Sequence, residues 1–498
     1  MNDVIVIGAG VVGCAVAREL SRFALRVVVM DKACDVAEGA TKSNSAIVHA
    51  GHDAKPGTNK ARFNVLGNAL FEPLCRELGV PFQRNTSLVT AFSQESIATL
   101  EELKAQGDKS GVPGLHIVNR EQVREWEPNI GRDVCAALVA PTGGICCPYE
   151  LTFRLAENAA ANGVSFFFNC GVQSVSRRAE GGWTVVADDG RRFETRAVVN
   201  AAGLYADELN NQVSAEKLKI TPRRGEYLMI DKAYAGTFRA TIFQVPSAMG
   251  KGVLVSPTVD GTLIVGPTAE NIEDKTDTRT TASGLEKIRR AASLTWNDLP
   301  LSGVIATFAG LRARGDREDF VLGEASDAPG FFNAAAMESP GLTAAPAVGV
   351  WLAERIAGKL GAVKKQGFVQ ESGHWPVFRH MDDAARAEAI LRDPAFGHIV
   401  CRCETVSEAE IRAAIRCRIG ARTLDGVKRR TRAGMGRCQG GFCAPRIIAI
   451  LSEELALTPE QITKFGGGSN LITTLDTRLA TCGKDPESRW SRVLQSHD

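Results

Sequence analysis

From Asp3 to Asp31 the chain reads "DVIVIGAGVVGCAVARELSRFALRVVVMD". Its pattern gives a continuous apolar strand (Val4 to Ile7), a tight turn, an amphipathic helix, and a second strand (Val27 to Met30) ending in Asp31. That is a complete β-α-β unit, with a glycine wherever the backbone needs one. Gly8 makes the turn, Gly10 lets backbone come close to a pyrophosphate, and Gly13 lets the helix press against the strand. The helix amino terminus, at Val11 and Val12, then presents unpaired N–H groups to phosphates. Asp31, followed by Lys32, stands where an acid accepts hydrogen bonds from ribose hydroxyls. Isolated glycine motifs are weak signals, but strand, helix, second strand and terminal acid together predict a site for an adenine dinucleotide.

The rest of the composition sets bounds. At 498 residues the chain is long enough for two to four domains, and 44% hydrophobic and 23% charged residues are ordinary globular values. A net charge of +2 gives no case for nucleic acid or an anionic membrane as the main partner. The amino terminus has no basic leader, and no stretch reaches the roughly 18 uninterrupted apolar residues of a membrane helix. The expectation is a cytoplasmic protein without an integral membrane segment, reaching the inner membrane face only through a partner. Thirteen cysteines, an odd number, favour reduced thiols or metal ligands over a disulfide framework, and five of them fall between Cys401 and Cys443.

The segment "GATKSNSAIVHAGHD" (Gly39 to Asp53) resembles the flavin-facing segment of the D-amino-acid-oxidase-like superfamily, in the branch of glycerol 3-phosphate dehydrogenases and oxidases and L-2-hydroxyglutarate oxidases. Matches continue in order through "PYELTFRLAENAAANG" (Pro148 to Gly163), "VVNAAGLYAD" (Val198 to Asp207), "GTLIVGPTAE" (Gly261 to Glu270) and "ESPGLTAAPAVG" (Glu338 to Gly349). This resemblance implies FAD, with further contacts from Thr41, Ser43, Asn44, Ser45, Val172, Ala202, Gly203, Gly341, Leu342 and Thr343. It also implies an α/β fold: a Rossmann-like FAD-binding domain (1–73, 141–213 and 306–360) with an interleaved sheet-rich substrate domain (74–140 and 214–305). A linker (361–395), a small helical C-terminal iron–sulfur domain (396–456) and a C-terminal tail (457–498), polar and mobile from about 472, complete the expectation. No second glycine motif has a β-α-β context, so NAD is not expected as the electron acceptor.

Near the carboxyl end the cysteines pair by spacing. Cys401 and Cys403 form C-x-C, and Cys438 and Cys443 form C-x4-C within "GMGRCQGGFC". Gly434, Gly436, Gly440 and Gly441 allow positive backbone angles and let amide N–H groups point at sulfur. Four thiolates suit tetrahedral zinc as well as iron–sulfur, although C-x-C fits the usual zinc spacing poorly. "VKRRTRAGMGRCQGGFC" resembles the bacterioferritin-associated-ferredoxin-like module, which implies that Cys401, Cys403, Cys438 and Cys443 hold a [2Fe-2S] cluster. Cys417 is expected to pack inside a helix. The basic run Lys428, Arg429, Arg430, Arg432 and Arg437 is read three ways: it offsets cluster charge, docks an acidic partner, or is a solvated helix face. A flavin followed by a one-electron centre favours a dehydrogenase feeding a redox partner, a second flavoprotein or electron carrier, or a quinone.

His49, in the flavin-facing segment, is the expected proton acceptor. Arg312, in "FAGLRARGDRED", matches the superfamily position that engages a substrate anion, and Lys251 in "GKGVLVSP" is a second anion candidate. Ala313 follows Arg312 where the common pattern has proline, which leaves the geometry of a loop there open. The expected substrate is a small anionic secondary alcohol, glycerol 3-phosphate before L-2-hydroxyglutarate or another 2-hydroxy or amino acid. A reading of another class is an electron-transfer complex subunit whose cluster module serves assembly.

Overall fold

The computed structural model describes residues 1–246, 252–371 and 377–473. The chain divides into two compact units, Met1–His374 and Trp375–Asp498.

In the first unit, β1 (Asn2–Ile7), α1 (Val11–Leu20) and β2 (Val27–Met30) form as the sequence predicts. β1 lies between β2 and the strand Arg192–Asn200, parallel to both, with Val4 opposite Val27 on one side and Ala197 on the other. A parallel strand flanked on both edges and covered on both faces must be apolar throughout, which explains the unbroken Val-Ile run. The sheet has eight strands. Ser165–Phe167 extends it beyond β2, the antiparallel strands Trp183–Ala187 and Val172–Arg177 lie on the far side, and Phe331–Ala335 runs parallel to the end of Arg192–Asn200.

α1 buries every residue except Glu19. It packs on the helices Pro148–Ala161 and Gly341–Leu360, and it can come so close because the contacts are small. A Cβ on Gly349 would stand 2.9 Å from the Ala15 carbonyl, and one on Gly13 only 1.9 Å from the Gly8 oxygen. Gly13→Ala is therefore expected to lower stability by about 1–3 kcal/mol through backbone displacement, despite alanine's better helix propensity. Thermal unfolding checks it, and an unchanged midpoint would show that the turn yields freely.

Arg18 brings a charge into this packing at 1% exposure. Its Nε donates to Asn158 Oδ1 (2.9 Å), its other nitrogens pair with Glu19 and Glu77, and Phe368 covers it at 5.6 Å. Asn158 also donates to the Val369 and Gln370 carbonyls, and Asn162 accepts from the Val369 N–H. Residues 361–371, expected to be linker, thus form a strap bonded to the first unit.

The second sheet has nine strands, from 87–140 and 220–315. Its long pair is Ile220–Ile230 with Val304–Gly315, antiparallel along nearly their whole length. Residues 306–315, expected among the cofactor segments, belong to this sheet, because Val304–Gly315 hydrogen-bonds to Ile220–Ile230 and not to the parallel sheet.

The second unit is a small helical module built on the helices Asp383–Arg392, Glu408–Arg416, Leu424–Thr431 and Ala444–Leu455. Ser407 and Glu410 form a capping box that starts the second of these. Cys417 caps that helix instead of lying within it, its thiol donating to the Ala414 carbonyl. Asp383–Arg392 lies in the expected linker, and Ile462, in the expected tail, is 1% exposed in the module's apolar core. Residues 474–498 lie outside the described residues. Among the described residues no helix is long and apolar enough to cross a membrane.

Candidate functional site

The carboxyl ends of β1, β2 and Arg192–Asn200 open on a cavity of about 810 Å³. Open α/β sheets bind ligands at this end of their strands. Gly8, at φ +108°, sits with its missing Cβ 2.4 Å from the Ala201 oxygen, so only glycine makes this turn. Gly10 has just the Thr41 hydroxyl near its missing Cβ, at 3.4 Å, leaving its backbone open to a ligand. α1 has no side-chain cap and no acid in its first turn, which leaves its positive end suited to phosphates; the Val11 N–H donates to the Thr41 hydroxyl at 3.1 Å. Asp31 accepts from the Ala9 N–H (2.6 Å) and the Ala33 N–H (2.8 Å). Burial pushes its carboxyl above the usual carboxylate range, against those two bonds. Every expected cofactor residue lines the cavity except Gly13, which packs behind the turn, and Thr343, whose hydroxyl accepts from the His49 N–H at 2.9 Å. Cavity, glycine approach and uncapped helix end fit a dinucleotide.

On the opposite wall, Val304–Gly315 presses so tightly that a Cβ on Gly310 would lie 1.8 Å from the Ser43 oxygen. Arg312 lies on this strand, not in a loop, and the strand runs unbroken through Ala313. Its Nη2 donates to the Tyr227 hydroxyl and its Nη1 to the Thr268 carbonyl, both at 3.4 Å. Tyr227 is fixed by stacking on Phe308, with centroids 4.7 Å apart, and its hydroxyl lies 3.1 Å from the Ser45 hydroxyl.

His49 lines the same cavity. Its carbonyl accepts from Asn64 (2.9 Å) and Asn68 (3.0 Å), and its Nε2 lies 3.3 Å from the Ser339 hydroxyl. Lys251 lies outside the described residues. Sequence reasoning missed Arg223, Tyr227 and Ser339. In "ITPRRGEYLMI" (Ile220 to Ile230) the period of a strand places Arg223, Gly225 and Tyr227 on one face, a signal open to reading once the segment is taken as a strand.

In the second unit the four expected cysteines meet as two pairs. The Cys403 thiol donates to Cys438 across 3.8 Å, and the Cys443 thiol donates a hydrogen bond to the Cys401 sulfur. The Cys443 bond, with the Gly434 and Glu404 N–H groups against burial, lowers Cys401 to about 6. Burial pushes Cys438 up, but the N–H groups of Phe442, Gly440 and Gly441 and the Cys403 thiol leave it lowered. Each pair thus holds one sulfur favoured as thiolate, the ligating form. Among the described residues no three His, Cys, Asp or Glu side chains close around a single ion, whereas two pairs fit a two-iron cluster. Of the four glycines, Gly434 (φ +93°) and Gly440 (φ +89°) take positive angles. Gly436 instead allows close approach, its missing Cβ lying 2.2 Å from Cys403 Cβ.

The basic run is mostly turned inward. Arg429 is 8% exposed, Arg430 donates to the Ile419 and Gly426 carbonyls, and Arg432 pairs with buried Glu404 at 2.8 Å. Lys428 is half-buried, and only Arg437 is exposed. Of the three readings, these contacts disfavour a solvated helix face, and the run presents no continuous surface for an acidic partner.

Comparisons with known proteins agree with this geometry. The DAO family model, FAD dependent oxidoreductase, matches residues 3–355, and the BFD-like [2Fe-2S] binding domain matches residues 399–453. The glycerol 3-phosphate dehydrogenase of Caloramator mitchellensis is 48% identical over 476 residues, 95% of this chain and 98% of that protein. Human mitochondrial L-2-hydroxyglutarate dehydrogenase is 30% identical over 285 residues, 54% of this chain and 60% of that protein. Among solved structures, dithionite-reduced L-alpha-glycerophosphate oxidase from Mycoplasma pneumoniae with FAD bound superposes with a TM-score of 0.71 at 30% identity, covering 75% of this chain and 99% of that one.

Proposed function

The chain belongs to the DAO family of FAD dependent oxidoreductases and carries a BFD-like [2Fe-2S] domain, and from that premise we propose that it is a cytoplasmic dehydrogenase oxidising glycerol 3-phosphate to dihydroxyacetone phosphate. The observation that carries this reading is that His49 and Arg312, remote in sequence, line one cavity with the glycine turn of β1. Gly8, Gly10, the α1 amino terminus and Asp31 would hold the dinucleotide; Cys401, Cys403, Cys438 and Cys443 would hold the cluster. When bound, FAD supplies two-electron oxidation and the cluster one-electron transfer to a carrier protein, second flavoprotein or quinone.

The chain's own residues divide the remaining work. His49 takes the proton of the substrate hydroxyl at Nε2, the substrate hydroxyl replacing Ser339 as the partner of that nitrogen. Arg312 receives the substrate anion through paired N–H donors, held by Tyr227 and the Thr268 carbonyl. Lys251 is a second candidate for that anion.

Anaerobic mixing of the oxidised enzyme with glycerol 3-phosphate, L-2-hydroxyglutarate and a set of amino acids tests the reading by flavin absorbance. Glycerol 3-phosphate is expected to bleach the visible band fastest. Rapid bleaching by L-2-hydroxyglutarate with none by glycerol 3-phosphate would transfer the assignment to the 2-hydroxy acid.

A further inference from the structure

We propose that Arg223 stands beside Arg312 as a second guanidinium for the substrate anion, and that Arg223 makes the site prefer a dianionic phosphate to a carboxylate. This rests on the reading of a phosphorylated substrate and names the residue that selects it.

The argument begins with register. Arg223 and Arg312 are direct cross-strand partners on Ile220–Ile230 and Val304–Gly315, and both line the cavity. Side chains so paired leave the same face of the sheet with Cβ atoms about 5 Å apart, and like charges opposed in this way repel. Nearby cations have carboxylates to balance them. Arg314 pairs with Glu318 at 3.3 Å, Lys60 with Glu338 at 2.7 Å, and Arg224, on the other face, with Glu270 and Asp277. Arg223 donates its Nε to the neutral Asn271 side chain at 2.9 Å, and Arg312 reaches only a carbonyl and a phenol. Among the described residues neither has a carboxylate within ion-pair distance.

Gly225, between Arg223 and Tyr227 on that face, makes room for the arrangement. A Cβ there would lie 2.6 Å from Arg312 Nη2. Burial chiefly holds Arg223 below the usual arginine range, with the charges of Arg314 and Arg312 acting in the same direction against those of Glu338 and Glu318. A structural arginine would be expected to use a carboxylate from the nearby Glu318 or Glu338. Those carboxylates are engaged elsewhere, and the two guanidiniums are left facing the cavity.

The ligand chemistry follows from counting charges and oxygens. One guanidinium matches a carboxylate, which has two oxygens and a single charge. A phosphate monoester offers three terminal oxygens and about −1.5 to −2 charge near neutrality, enough to occupy both.

The test is calorimetric titration of oxidised holoenzyme with inorganic phosphate and with propionate, neither of which the enzyme oxidises, for the native chain, Arg223→Gln and Arg223→Lys. Native affinity for phosphate should rise as pH passes the second phosphate ionisation, near neutrality. Arg223→Gln should weaken phosphate binding roughly 10- to 100-fold, flatten that rise, and change propionate binding by much less. Arg223→Lys should restore part of the phosphate affinity. Native-like phosphate binding by Arg223→Gln, or an equal loss for both anions, would overturn the proposal. Should glycerol 3-phosphate fail to bleach the flavin while phosphate binding still depends on Arg223, the substrate reading falls and the second guanidinium stands.

Discussion

Enzyme carrying His49→Asn is expected to retain FAD and to reduce it roughly 100- to 10,000-fold more slowly with saturating glycerol 3-phosphate under anaerobic conditions, the loss typical of a removed general base. The backbone makes the experiment clean. The His49 N–H and carbonyl are bonded to Thr343, Asn64 and Asn68, so the segment is anchored without its imidazole. The ring lies against the Ser339 hydroxyl, a contact that asparagine loses without burying a new charge. The fall should appear in the rate of flavin reduction while KM changes little, since Arg312 still receives the anion. A rate within threefold of native would remove His49 from the chemistry and leave it as a wall of the cavity.

Cys403→Ser should take the chain from stoichiometric iron and acid-labile sulfide to none, with flavin content and anaerobic bleaching by substrate unchanged. Cys403 is the best of the four to replace because it is exposed, whereas Cys401 and Cys443 are each 2% exposed in the module's apolar core. Replacing either of those would remove a ligand and disturb packing together. Reduction of a one-electron protein acceptor should be lost along with the iron. Retained iron would exclude Cys403 as a ligand. Lost iron with undiminished electron flow would make the module an assembly element.

How much of this was written in the amino acids depends on the range of the interaction concerned. The β-α-β unit was legible because its determinants are local: an apolar strand, three glycines and an acid within Asp3 to Asp31. The cysteine centre was legible because C-x-C and C-x4-C bring ligands onto adjacent loops. Arg223 was missed because its meaning lies in its partner across the sheet, and no feature near residue 223 announces Arg312. The basic run stayed open among three readings for a similar reason. Charge is visible in a sequence, but the Ile419 carbonyl and Glu404, which turn Arg430 and Arg432 inward, come from other segments. Asp383–Arg392 was read as linker although Asp382 caps it, because a short helix rich in alanine and charge carries little apolar period. The roles of His49 and Arg312 stand on resemblance and shared walls, and the His49→Asn variant tests the first of them.

The strap over α1 alters where this polypeptide can be cut. The helix Gly341–Leu360 ends in a left-handed glycine, Gly361, which makes a tempting place to sever the flavoprotein portion. Cleavage there would strip Phe368 from the Arg18 and Arg22 guanidiniums and take away the carbonyls that Asn158 reaches. A deeply placed cation would be left with thinner shelter and an orphaned amide beside it. A flavoprotein portion that keeps these contacts must run at least through Gln370, and a protease nicking earlier would inflict damage at the Rossmann helix, remote from the scissile bond.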